Sequence, residues 1–218
     1  MASPATSTPT HTLHAGGPFP LCVRIAAITW LILWALTYEI YWGASSFLYL
    51  CDIAVVLTCI GLALPSGSAS TLLISSQAVS SVLIDSMWAV DALVRLIAHT
   101  HIIGGTEYLF DQHYPPWVRA MSLFHVALPP VLLWAVRRTG YDQRGFQLQA
   151  LIAALAMIAS RFVDPAKNVN FAFAGPLMNK QWGPVPVHLA CMFFGLVLVI
   201  YWPTHRLLIW WDSRRKAN

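Results

Sequence analysis

Charge is scarce in this chain. Asp, Glu, Lys and Arg make up only 10% of its residues, against roughly 25% in a soluble domain. Apolar residues make up 57% of the 218, more than a single water-facing core of this size can hide. A soluble globular domain is thereby excluded, and lipid is the natural solvent. The basic residues fall between and after apolar runs instead of forming a stripe, so the formal charge of +4 is no nucleic-acid footprint. Cysteine is also scarce. Cys22, Cys51, Cys59 and Cys191 each lie in or beside an apolar run. No pair has zinc-ligand spacing, and no disulfide framework emerges. The sequence carries no nucleotide, flavin or haem motif and no internal repeat, and neither a cofactor nor a metal is expected.

What the chain does have is long apolar runs. A membrane span needs about 20 apolar residues, and six runs qualify, near 22–40, 47–64, 71–95, 118–136, 146–163 and 185–209. Gly43 to Ser46, the Pro65-Ser-Gly-Ser stretch, the 98–116 segment, Arg137 to Arg144 and the 164–184 segment separate them. The expected fold is all-α, a polytopic integral membrane bundle of six transmembrane helices over residues 21–211. It is flanked by a disordered Pro/Ser/Thr/Gly-rich tail at 1–20 and a basic tail at 212–218. The first run lacks a small-residue cleavage signature and reads as an uncleaved span.

Six spans place both termini on one side. That side holds Arg24, Arg137, Arg138, Arg144, Arg206, Arg214, Arg215 and Lys216, and the other holds Arg95, Arg119, Arg161, Lys167 and Lys180. The excess of basic residues predicts cytoplasmic termini. The absence of eukaryotic targeting signals points to a bacterial inner membrane.

On this topology the ionisable residues gather towards the outer face. Glu39 ends the first span, Asp52 begins the second, Asp85, Asp91 and Arg95 occupy the outer half of the third, His125 lies in the fourth and Arg161 ends the fifth. Each charge inside a bilayer costs about 2.5–3.5 kcal/mol on insertion scales, so such groups are paired or line a wet cavity. The grouping predicts a polar pocket open outward, with Asp91 and Arg95 spaced i,i+4 for mutual neutralisation. Ser75, Ser76, Gln77, Ser80, Ser81 and Ser86 polarise the third span further, a pattern that also serves close helix packing. His99 and His101, two residues apart in a loop, are too few for a metal site.

The stretch from Tyr41 through Leu50-Cys51-Asp52 resembles two related groups of six-span proteins. One is the androgen-induced membrane hydrolases, which cleave fatty acid esters of hydroxy fatty acids. The other is the YwaF-type membrane proteins with their acyltransferase relatives. Pro116-Trp117 followed by Phe124-His125 and Leu128-Pro129 is similar to the histidine span of these groups. Asn168-Val-Asn170-Phe171 and Trp182-Gly183-Pro184 are similar to the elements before their last span. The resemblance implies a lipid-ester hydrolase or acyltransferase with membrane lipid as partner and a lipid ester as substrate. The hydrolases' nucleophilic threonine is matched here by Tyr49, a departure; the acyltransferases' cysteine is matched by Cys51. A Cys51–His125 pair is chemically reasonable, since a nearby imidazole lowers a thiol's pKa or takes its proton. Asp52 would orient His125 or pair with an arginine, and Asn168 or Asn170 would donate to an oxyanion. Glu39, Tyr49, Asp85, Asp91, Asn168 and Asn170 are the expected substrate-binding residues. The reading from a different class is a non-catalytic lipid or small-molecule binder, a carrier or a membrane-complex subunit. Apolar runs such as Val131-Leu-Leu-Trp134 predict a sealed inner half.

Overall fold

A computed structural model describes residues 19–65, 67–102, 104–176 and 179–217. The expected tail at 1–20 lies outside the described residues, apart from Phe19 and Pro20. Among the described residues there is no strand, and six helices account for the six apolar runs. Helix α1 is Leu21–Trp42, α2 is Leu50–Ala63 and α3 is Ser68–Ala98. Helix α4 is the rod Pro116–Thr139, tightened at Met121–Leu123. Helix α5 is Arg144–Ser160, and α6 is the rod Val185–Ala217 with a π-bulge at Val197–Tyr201. The basic residues expected as a tail continue α6 to Ala217, where Asp212 pairs with Arg215 and Lys216.

Local chemistry sets these boundaries. Gly43 and Gly140 have φ of 76° and 83° and stop α1 and α4 in the left-handed region that glycine enters freely. Pro116 starts α4 where its missing N–H costs nothing. Inside α4, Pro129 and Pro130 remove two backbone donors. Pro203 does the same in α6, and the π-bulge sits immediately before it, absorbing the disturbed ladder.

Three helices, α1, α4 and α6, are long and apolar enough to cross a membrane. At 1.5 Å per residue the 14 residues of α2 and the 17 of α5 reach about 21 and 25 Å. Isoleucines 25, 32 and 40 of α1 and Leu198, Val199 and Leu207 of α6 are exposed. The interior is the reverse. Helix α3 packs against α2, α4, α5 and α6, and it buries Ser70, Ser75, Ser76, Gln77, Ser80, Ser81, Asp85 and Asp91.

The joins between helices define two ends. At the first, called here the clasp end, Lys167 Nζ reaches the Trp42 carbonyl and Asn170 reaches Leu48 and Leu50, so the 43–49 and 161–176 segments meet. At the second, the basic end, Ser75 accepts from the Asp142 amide and Arg215 donates to the Arg137 carbonyl.

Gly145 lets α5 pass close to the backbone of α3. A Cβ there would stand 2.8 Å from the Ser75 and Ser76 backbone. Gly145→Ala is expected to cost about 1–3 kcal/mol by overpacking, read as a lower thermal midpoint of the detergent-solubilised protein. Gly195→Ala, whose added Cβ meets nothing within 4 Å, serves as the control and keeps the midpoint or raises it slightly.

Candidate functional site

Helix α2 starts at the clasp end because Tyr49 is extended. That start places Cys51 and Asp52 in the first helical turn, where the exposed N–H groups favour a carboxylate. Asp52 is nevertheless buried at 3% exposure. The Cys51 thiol leans on it, with Sγ 3.7 Å from Oδ1. Asp85 of α3 lies close enough for its charge to act on both Asp52 and Cys51. Asp85 is 1% exposed, and its Oδ2 has no hydrogen-bond partner among the described residues. No lysine, arginine or histidine among the described residues forms an ion pair with either carboxylate; the ion pairs engage Asp91, Glu107, Asp111, Asp142 and Asp212.

Three further groups border this chamber. Tyr38 of α1 holds its hydroxyl 3.2 Å from the Ser122 Oγ of α4. Its ring is fixed by Trp34, at 4.3 Å between centroids, and Trp34 in turn meets Phe47 and Phe124 edge-on. Tyr108 comes in from the segment between α3 and α4, and burial, Tyr38, Cys51 and Asp52 together push its phenol well above the ordinary tyrosine range against the lowering effect of Ser122. Tyr108 is half-buried and lies within electrostatic reach of Tyr38, Cys51 and Asp52.

His125 is buried on α4 but takes a separate position. Its ring stacks on Trp88 of α3, with centroids 4.3 Å apart and planes 15° apart. Its Nδ1 lies 2.9 Å from the Ser122 carbonyl. A carbonyl only accepts, so Nδ1 carries the proton and Nε2 the lone pair. Among the described residues no hydrogen bond joins His125 to Cys51; Ser122 links the histidine to the chamber, its carbonyl bonding His125 and its hydroxyl bonding Tyr38, and so do the Trp88 and Phe124 rings that flank the imidazole.

The remaining expected residues hold the clasp end together. Asp91 takes its partners from the following segment instead of Arg95. Its Oδ1 accepts from the Ile102 and Gly104 amides at 2.7 and 3.3 Å, and its Oδ2 from Thr106 Oγ1 at 2.8 Å and His101 Nδ1 at 3.0 Å. Arg95 donates to the carbonyl of His99, the residue that ends α3 in a left-handed conformation. A shallow cleft of about 230 Å³ lies beside this knot, lined by Ser86, Met87, Val90, Asp91 and Ile102.

Asn170 caps the Leu50 amide with Oδ1 at 3.0 Å and donates from Nδ2 to Leu48 O and Ser160 Oγ. Asn168 accepts from the Phe173 and Ala174 amides and donates to the Ala174 carbonyl. Both asparagines sit at positive φ, 43° and 52°, a region asparagine tolerates better than most residues. Tyr49 donates to the Lys167 carbonyl at 2.9 Å, and Arg161 donates to Ala172 O while covering the Phe173 ring. Glu39 is exposed on α1. The residues expected to line one outward pocket therefore divide into a buried group around Asp52 and Asp85 and a set of backbone clasps at the clasp end.

Sequence reasoning passes over Tyr38, Tyr108, Ser122 and His188. His188 accepts from the Trp182 amide with Nδ1 and lies 2.9 Å from the Phe171 carbonyl with Nε2, pinning the 171–184 segment to α6. No spacing signal marks these four, because each acts across helices.

Asn170→Ala is expected to leave the Leu50 amide uncapped, at about 1–3 kcal/mol for the buried groups it orphans. Hydrogen exchange at Leu50 to Ile53 then quickens, while exchange in the middle of α5 stays unchanged. Asn168→Ala quickens exchange at Phe173 and Ala174 instead.

Comparison with protein-family models, with curated proteins and with solved structures finds no match to this chain.

Proposed function

We propose that the chain is a six-span membrane protein with both termini at the cytoplasmic face, and that its Asp52–Asp85 chamber binds a proton as part of a carrier-type activity. Support for the six spans comes from the six apolar helices, three of them long enough to cross a membrane, and from the exposed isoleucine, leucine and valine side chains of α1 and α6. Support for the orientation comes from the basic end. There Arg138, Arg206 and Arg214 lie over the rings of Trp134, Trp202 and Trp210, at 5.4, 5.9 and 4.3 Å. Paired tryptophan and arginine suit the boundary between lipid and cytoplasm. The clasp end then faces outward, and the surrounding partner is membrane lipid.

The observation that carries the proton-binding reading is the pair of facing carboxylates. Two acids on different helices, each almost wholly buried, stand together without a cation among the described residues. Stability alone argues against such a pair, since well-packed apolar residues in place of buried charges are often neutral or stabilising. Carboxylates of this kind inside membrane helices mark proton and ion sites. Infrared difference spectroscopy across a pH step tests it. The wild type is expected to show a protonated-carboxyl band that is lost in Asp85→Asn and altered in Asp52→Asn. A spectrum unchanged by both substitutions would overturn the reading.

One observation favours the second reading, a lipid-ester hydrolase or acyltransferase using Cys51 and His125. The Ser122 carbonyl holds His125 in the tautomer whose Nε2 is basic, as a general base requires. Against it, the Cys51 thiol is turned to Asp52, and the side-chain donors of Asn168 and Asn170 are engaged by the backbone and Ser160. Thiol-probe labelling separates the readings. Under the proton-binding reading Cys51 reacts no faster than Cys59, and His125→Ala changes neither rate; a fast Cys51 reaction that collapses in His125→Ala would establish the enzyme.

A further inference from the structure

Helix α3 does not become apolar below the chamber. One turn before Asp85, Ser81 Oγ is fully buried and lies close enough to the Asp85 carboxyl to act on it. At the next position Ser80 Oγ accepts from Gln149 Nε2 of α5 at 3.0 Å, and the same amide donates to the Tyr201 hydroxyl of α6 at 3.1 Å. Gln149 Oε1 faces Gln77 Nε2 at 3.3 Å, and Gln77 donates also to Ser76 Oγ at 2.8 Å. Ser76 Oγ donates to the Leu73 carbonyl at 2.8 Å; at the basic end Ser75 separately accepts from the Asp142 amide at 2.9 Å, and the neighbouring Tyr141 hydroxyl lies 2.7 Å from His205 Nδ1. Gln77, Gln149, Ser76, Ser80 and Tyr201 are at most 3% exposed. Gln77 Oε1 and Asp85 Oδ2 are buried with no hydrogen-bond partner among the described residues, and each such group in a protein interior calls for an explanation.

We propose that this stripe is a proton path running the length of the bundle, from the Asp52–Asp85 chamber to the basic end, with the Gln77–Gln149–Tyr201 contact as its gate. The path rests on the chamber binding a proton. Contacts of 2.8–3.3 Å between oxygen and nitrogen leave no passage for a hydrated ion or an organic solute. A proton needs none. Each hydroxyl takes a proton on one lone pair and releases its own from the O–H bond, so no heavy atom crosses and no net bond is made. The glutamine amides cannot do this while both Gln149 N–H groups are engaged, one on Ser80 and one on Tyr201. They therefore block the path until the contact loosens. Tyr201 ends the π-bulge that precedes Pro203, which places the gate on the segment of α6 with the least regular backbone ladder.

The test uses the purified full chain in vesicles of phosphatidylcholine and phosphatidylglycerol, with a pH-sensitive dye inside and a potassium diffusion potential as driving force. Wild type is expected to acidify the lumen several-fold faster than protein-free vesicles. Asp85→Asn is expected to fall to the protein-free rate. Tyr201→Phe, which removes one acceptor from the gate, is expected to run faster than wild type. It is a mild change, so the prediction survives should Asp85→Asn fail to fold. A wild-type rate equal to that of protein-free vesicles overturns the path, as does a Tyr201→Phe rate no higher than wild type. The carboxyl band separates the two levels. A pH-dependent band without proton flux leaves the chamber reading standing and ends the path, whereas loss of the band removes both.

Discussion

Helix α3 carries eight buried polar side chains between Ser70 and Asp91, and that face cannot meet an apolar solvent, while Ile84, Val90 and Leu93 of the same helix stay exposed. Each of those groups needs a partner that only protein can supply. The neighbouring helices are arranged to supply them, with Gly61 O of α2 accepting from Ser70, the Asp142 amide meeting Ser75, and Gln149 of α5 and Tyr201 of α6 meeting near Ser80. Helix α1 stands further out and has an exposed apolar face. The layering is thus inverted relative to a water-soluble bundle, with polarity at the centre and apolar side chains outside.

Two kinds of polar interior result from the same constraint. Where the groups are uncharged, as at Gln77 and Gln149, their amide donors lock three helices together. Where they are acids, as at Asp52 and Asp85, satisfaction is incomplete. The chamber has Tyr108 near it and is braced by Tyr38 and Ser122, yet Asp85 Oδ2 has no hydrogen-bond partner among the described residues. The contrast locates chemistry at the acids and structure at the amides, and the transition between them falls at Ser80 and Ser81.

The helices were legible in the sequence because apolar runs and breakers act locally. Gly43, Gly140 and Pro116 do in the structure what their backbone preferences dictate. The polar character of α3 was equally plain from its serines. What spacing could not reveal was which helix stands opposite which. Cys51 and His125 look like partners when runs are aligned, but Trp88 occupies the face of the His125 ring and Asp52 takes the Cys51 thiol. The Asp91–Arg95 spacing suits a helical ion pair. The chain instead turns back after His99 and delivers backbone amides that satisfy Asp91 better than one exposed guanidinium would. Asn168 and Asn170 have the look of oxyanion donors because their left-handed conformations and backbone partners cannot be read from their letters.

The cap on α2 also has a consequence for how the protein is made. The Leu50 amide is capped by Asn170, 120 residues later in the chain, and the end of α1 by Lys167, 125 residues beyond Trp42. During synthesis the first hairpin therefore emerges with its turn open. It stays so until the fifth helix has been made and the segment after it has folded back. Closure of that turn by these two side chains waits on the first five helices, and a chain that stalls earlier leaves the Leu50 amide without its cap.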